Sequence, residues 1–205
     1  KGGLPRREVQ DIESLLRESV AFGLTGSKTP VDFAIDDDLW FASVDRGQFK
    51  QVISNLVINA VQAGGDEGRI SVRAENLNCE EPLSNQLGAG EYVSIRIEDA
   101  AGGMSPEVFE KALDPYFTTK PRGSGLGLPT VFAIMARHGG APDLENRAGE
   151  GTTVTLHFPA VRDVVPAEGR AEGAVVPGEG RVPVLDDDPH LPRAYAAGPP
   201  PPGYH

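Results

Sequence analysis

Gly123-Ser124-Gly125-Leu126-Gly127-Leu128 runs into an apolar stretch, Thr130-Val-Phe-Ala-Ile-Met-Ala-Arg-His138, that closes on Gly139-Gly140. The spacing predicts a helix entered and left through glycine. Glycines at alternate positions let a backbone approach an anion closely. The helix behind them adds free N–H groups and the positive end of its dipole. Glycine also serves turns and caps, so the neighbouring segments must decide between these readings.

Upstream of the run, Asp45 can cap a long helix to Ala63, with Phe49, Val52, Ile53, Leu56, Val57 and Ala60 on its buried side and Gly64-Gly65 ending it. An earlier helix over residues 11–24 carries Ile12, Leu15, Leu16, Ser19, Val20 and Leu24 at helical spacing. Val31–Ile35 and Leu39–Val44 alternate as strands, and the acidic Asp36-Asp37-Asp38 between them predicts a hairpin turn. Arg69–Leu77 and Tyr92–Glu98 are expected to pair, with a polar loop over residues 78–91. Residues 104–113 predict a short helix begun by Ser105-Pro106. Asp143–Arg147 and Thr152–Phe158 complete the pattern as two strands. Strand pairs separated by helices predict an α+β fold: a two-layer sandwich with a mixed, mostly antiparallel sheet and helices on one face.

The chain has 205 residues and 39% hydrophobic content, enough for one ordinary domain with extensions. A net charge of −11 argues against nucleic acid as a partner, because phosphate contacts need Lys and Arg. No apolar stretch is long enough to span a bilayer, so this segment is expected to make no membrane contact. The single cysteine, Cys79, cannot form an internal disulfide, which fits a reducing, cytoplasmic compartment; the parent protein is free to carry an anchor elsewhere. The first residue is Lys1 rather than Met, which reads as a fragment, with residues 1–9 as its edge. Half of the 18 prolines follow Ala160. We therefore expect a core domain over residues 10–160, a flexible linker over 161–180, and a proline-rich, disordered end within 181–205.

Three polar features stand out against this pattern. Asn55 and Asn59 are four apart on the long helix, with Gln51 one turn earlier on the same face. Asparagine is a poor interior helix residue, so the pair is either held by nearby backbone or offers an amide oxygen to a hard cation such as Mg²⁺. Asp99 ends an apolar strand before Ala100-Ala101-Gly102-Gly103-Met104. Its carboxylate is either a turn residue or an acceptor for an exocyclic amine such as that of adenine. The third feature is Asp114-Pro-Tyr-Phe117-Thr118-Thr119-Lys120, just before the glycine run.

Together these four blocks resemble the ATP-binding catalytic domain of bacterial sensor histidine kinases, within the superfamily that includes gyrase-type and Hsp90-type ATPases (the Bergerat or GHKL fold). The resemblance covers residues 10–160 and rests on the order of the blocks. It implies that ATP and Mg²⁺ are the cofactors. Asn59 would ligate the metal, with Asn55 as the first Asn of the N box. Asp99 would read the adenine amine in a G1 box that continues through Gly102, Gly103 and Met104. Phe117, Thr118, Thr119 and Lys120 correspond to the F box, and Gly123, Ser124, Gly125, Leu126, Gly127 and Leu128 to the G2 box around the phosphates. The short Pro121-Arg122 link implies a short lid. Lys120, with Arg122, would supply catalytic positive charge, and Gln51 is expected either to help position the acceptor or to be an ordinary packed or solvated glutamine.

The match has departures. Ala101 stands where the G1 box usually has its first glycine, a costly substitution if that position needs a positive φ. The family's acceptor histidine lies on a helix before this domain, whereas His138, His157, His190 and His205 all come later. The resemblance therefore implies a separate histidine-bearing dimerisation domain as partner. His138 reads as a cation at a helix end. Arg181–His190, with Asp186-Asp187-Asp188, is either a solvated acidic tail or the truncated start of a response-regulator receiver domain, as in hybrid kinases. Two alternatives remain: a serine kinase of the anti-sigma-factor type, and a degenerate nucleotide-binding or docking module.

Overall fold

The structure, a computed structural model, describes residues 5–65, 68–120 and 123–162. The tail readings beyond residue 162, including the receiver-like stretch, and the link residues Pro121 and Arg122 lie outside the described residues. Strand β1 (Glu8–Gln10) leads into helix α1 (Ile12–Gly23), strands β2 (Val31–Ile35) and β3 (Phe41–Val44), and helix α2 (Arg46–Gly64). Strands β4 (Ile70–Cys79) and β5 (Gly90–Asp99) follow, then the short helix α3 (Pro106–Glu110), helix α4 (Gly127–Arg137), and strands β6 (Ala141–Arg147) and β7 (Gly151–Val161).

The seven strands form one mixed sheet in the order β1-β3-β7-β5-β4-β2, with β6 also on β7. Every pairing is antiparallel except β2 with β4. Alternation sorts the sheet faces: Ile70, Val72 and Ala74 of β4, Val93, Ile95 and Ile97 of β5, and Val154, Leu156 and Phe158 of β7 are buried against the helices. Arg73, Glu75, Arg96 and Glu98 take the intervening positions and keep partial or full access to water. Leu15 and Leu16 of α1, Phe49 and Ile53 of α2, and Val131 and Met135 of α4 fill the other layer. This is the expected α+β sandwich.

Helix entry follows the sequence signals. Asp11 accepts the N–H of Ser14 at 3.2 Å, and Asp45 accepts that of Gln48 at 2.9 Å. Gly65 ends α2 with φ of 57°. At Gly23 an added Cβ would lie 2.9 Å from Val57 Cβ, so this glycine sets the close approach of α1 to α2.

Four local readings need correction. The expected β2–β3 hairpin does not form: β2 lies parallel to β4 at one edge, while β3 pairs with β1 and β7. The acidic turn is instead gripped by Asn76 of β4, which donates to Asp38 O at 2.9 Å and accepts the Trp40 N–H at 2.8 Å. Glu8–Gln10 is a sheet strand rather than an edge fragment, and Arg6 N–H donates to Asp45 Oδ2 at 2.8 Å. The boundary at residue 160 falls inside β7, whose Val161 pairs with Phe41. The helix expected over residues 104–113 keeps only Pro106–Glu110: the Met104 backbone bonds to Asn146, and residues 111–114 continue as i→i+3 turns such as Ala112 N–H to Phe109 O at 3.1 Å.

His138 is also different from its sequence reading. It is buried at the end of α4, where Asp45 N–H donates to Nε2 at 3.0 Å and Nδ1 lies 2.9 Å from Ile134 O. A backbone N–H can only donate, so Nε2 is the acceptor and Nδ1 carries the proton. The ring is a neutral bridge between α4 and the N-cap of α2.

Candidate functional site

The face of α2 that carries the asparagines, the end of β5, and the start of α4 enclose a cavity of about 580 Å³. Asn55 and Asn59 line it, and the structure separates their roles. Asn55 Nδ2 donates to Gly127 O at 3.4 Å and thereby ties α2 to the first residue of α4. Asn59 Oδ1 accepts from the Lys120 ammonium at 3.3 Å. Lys120 Nζ also donates to Gln62 Oε1 at 2.9 Å. Burial lowers the Lys120 pKa, and the negative charge of Asp99 pulls it back up.

Asp99 enters the cavity from the last position of β5. Burial raises its pKa; the backbone N–H groups of Ala101 and Thr152 and the charge of Lys120 oppose that rise. Its Oδ1 accepts the Ala101 N–H at 3.1 Å. The left-handed turn after it is carried by Gly102 and Gly103, with φ of 82° and 68°. Ala101 is not among the positive-φ residues, so its Cβ costs nothing there.

The loop between α3 and α4 forms the opposite wall through Phe117, Thr118, Thr119, Lys120, Gly123, Ser124 and Gly125. Tyr116 N–H donates to Gly125 O at 2.9 Å, and a Cβ on Gly125 would lie 2.6 Å from Phe117 O. A Cβ on Gly127 would lie 3.2 Å from Asn59 Nδ2. The glycines therefore admit the chain's own Tyr116–Thr118 segment and Asn59. Helix α4 starts at Gly127, earlier than its apolar pattern indicated, and no side chain caps it. Gly127 and Leu128, in its first turn, line the cavity. The positive end of the helix dipole is thus presented to the space between Asn59 and Asp99.

Of the other residues singled out in the sequence, Met104 and Gly103 line the cavity, whereas Gln51, Gly102 and Leu126 do not. Gln51 is exposed one turn beyond the lined part of α2. Gly102 bonds through its C=O to Gly149 N–H at 2.7 Å, and Leu126 is the residue immediately before α4. Gln62 was missed, although its spacing from Asn55 and Asn59 puts it on their stripe. Ile97, Thr152 and Val154 also line the cavity; only the pairing of β5 with β7 brings the last two there.

A half-buried carboxylate, a cation-holding amide and an uncapped helix start thus share one cavity. Residues 44–162, more than half of the chain, match the family of histidine kinase-, DNA gyrase B- and HSP90-like ATPases. The chain belongs to this family. The chain is 33% identical over 178 residues to the sensor kinase CckA of Brucella abortus, covering 83% of this chain and 18% of that protein. It is 34% identical over 152 residues to the sensor histidine kinase ZraS of Escherichia coli K12, covering 73% of this chain and 30% of that one. The chain thus spans less than a third of either relative. The catalytic domain of histidine kinase ThkA superposes with a TM-score of 0.62 at 27% identity, covering 76% of this chain and 96% of that chain. Among the described residues, no helix of this ATPase domain is long and apolar enough to cross a membrane.

Proposed function

We propose that this domain binds Mg²⁺-ATP in the cavity and transfers the γ-phosphoryl group to a histidine on a separate dimerisation domain, as the catalytic part of a cytoplasmic segment of a hybrid sensor histidine kinase. The convergence of Asp99, Asn59 and the α4 N-terminus on one cavity carries this reading. The Asp99 carboxylate accepts the adenine amine, with Gly102, Gly103 and Met104 forming the turn beside the base. The uncapped N–H groups of α4 and the Gly123–Leu128 run hold the phosphates, and Phe117, Thr118 and Thr119 close over them. Lys120 contributes positive charge that phosphoryl transfer requires.

Magnesium fits the same site. Asn59 Oδ1 is a neutral oxygen already held by an ammonium group, so the position favours a cation. Among the described residues, no group of three or more His, Cys, Asp or Glu side chains converges to cage a metal. Asn59 would therefore share the ion with the phosphates. Bound there, the ion would neutralise phosphate charge. Gln51, exposed beyond the cavity, is assigned to the acceptor side.

We assign the acceptor to another domain; in support of this, neither described histidine lines the cavity. His138 spends both ring nitrogens on backbone, and His157 lies on β7 with Asp143 and Glu75 as its charged neighbours. The downstream partner is a response-regulator receiver domain.

The test uses the full chain, γ-labelled ATP, and the histidine-bearing dimerisation domain of the parent protein. Acid-labile label on that domain, and none on the chain itself, is expected. Label on serine or threonine of a partner would replace this reading with the serine-kinase one. Absence of ATP binding would leave only a docking module.

A further inference from the structure

We infer that Asn146 is a positioning residue that sets base selection at the nucleotide site, an inference that rests on the ATP-site reading above. Asn146 lies on β6, half-buried and outside the cavity lining. Its Oδ1 accepts the Met104 N–H at 2.7 Å, and its Nδ2 donates to Met104 O at 2.8 Å. One carboxamide thus satisfies both backbone groups of a residue 42 positions away, as a neighbouring strand would.

The contact is reinforced on both sides. Gly149 N–H donates to Gly102 O at 2.7 Å. A Cβ at Gly103 would lie 2.5 Å from Arg147 O and 2.9 Å from Asn146 Oδ1, so only glycine lets the loop sit this close to β6. The pinned loop supplies Ala101, Gly103 and Met104 to the cavity wall. It also aims the Ala101 N–H at Asp99 Oδ1, 3.1 Å away, which orients the carboxylate. A carboxylate fixed in this way accepts from the exocyclic amine of adenine and repels the carbonyl that guanine carries at the equivalent ring position. Freed from Asn146, Met104 must find other partners for two backbone groups. The loop then relaxes, and with it the orientation of Asp99.

Competition against a fluorescent ATP analogue on the full chain with Mg²⁺, using ATP and GTP as competitors, tests the inference. Asn146→Ala is expected to weaken ATP about tenfold while GTP changes much less, so that the ATP-over-GTP ratio collapses. Asn146→Asp keeps the shape and the acceptor for Met104 N–H but sets an oxygen against Met104 O; the same direction is expected, and this variant decides if Asn146→Ala fails to fold. An unchanged ratio overturns the inference, whether both affinities hold or both fall together, since a merely structural residue would weaken the two nucleotides alike. Wild-type protein that binds no ATP would overturn the ATP-site reading itself and is seen before any variant is made.

Discussion

Lys120 Nζ donates to Asn59 Oδ1 at 3.3 Å, so the chain's own ammonium holds the amide oxygen that we propose as the metal ligand. On that proposal the ammonium gives way, or shares that oxygen, when Mg²⁺-ATP binds. Asn59→Ala is therefore expected to bind ATP with little gain on adding Mg²⁺, whereas wild-type affinity rises by about tenfold or more. Calorimetry with and without the metal reads this directly. An equal Mg²⁺ gain in both proteins would remove Asn59 from the metal site.

Lys120 itself is expected to matter more for transfer than for binding. Lys120→Met removes the positive charge while keeping the apolar stem, and the rate of label transfer to the acceptor domain should fall about a hundredfold. Single-turnover labelling at saturating ATP measures it. A variant that transfers at the wild-type rate would show that the charge comes from elsewhere.

Asp99 should trade stability for binding. Burial raises its folded-state pKa, so the charged form is disfavoured in the fold and the protein loses stability as pH rises through that value. Asp99→Asn keeps an acceptor for the Ala101 N–H and removes the half-buried charge. It is expected to melt higher than wild type near neutral pH and to lose that advantage below about pH 4, where carboxyls are protonated in both states. ATP affinity should fall in the same variant. Wild-type ATP binding should likewise begin to fail on acidification above the ordinary carboxylate range.

Tyr116 is the one non-glycine residue with positive φ among those described, at 69°, and the residue is 76% exposed. Tyr116→Asn relieves left-handed strain while giving up little packing and should raise stability by about 0.5–1 kcal/mol. Gly125→Ala, at φ of 66° and facing the Tyr116–Phe117 backbone, should cost more than about 2 kcal/mol. Urea unfolding distinguishes the two signs.

His138→Ala removes the acceptor of the Asp45 N–H and leaves a cavity beside the Phe158 ring, whose centroid is 6.3 Å away. A loss of about 2–4 kcal/mol is expected. A loss below 1 kcal/mol would mean that the bridge between α4 and the α2 cap is replaced by water.

Much of the site was legible because helical spacing is local. Asn55, Asn59 and the overlooked Gln62 lie on one stripe of α2. Gln51 belongs to that stripe by spacing yet misses the cavity, since the lined part of α2 begins a turn later. Alternation likewise marked the buried faces of β4, β5 and β7. It could not name partners: Val31–Ile35 and Leu39–Val44 read as a hairpin but lie in the sheet with three strands between them. Glu8–Gln10 carries one apolar residue in three, too short a pattern to announce a strand.

By itself the sequence determined the long helices, the strands other than β1, the apolar faces and the order of the four motif blocks, because each depends on neighbours within a few turns of chain. Tertiary structure decided which of those blocks meet. Lys120 reaches Asn59 across 61 residues, Asn146 reaches Met104 across 42, and His138 reaches the cap of α2 across 93. Such pairs are set by how the sheet orders its strands and how closely the helices pack. Burial then leaves each polar group to bond whatever partner that packing brings within about 3 Å, a choice no local period encodes.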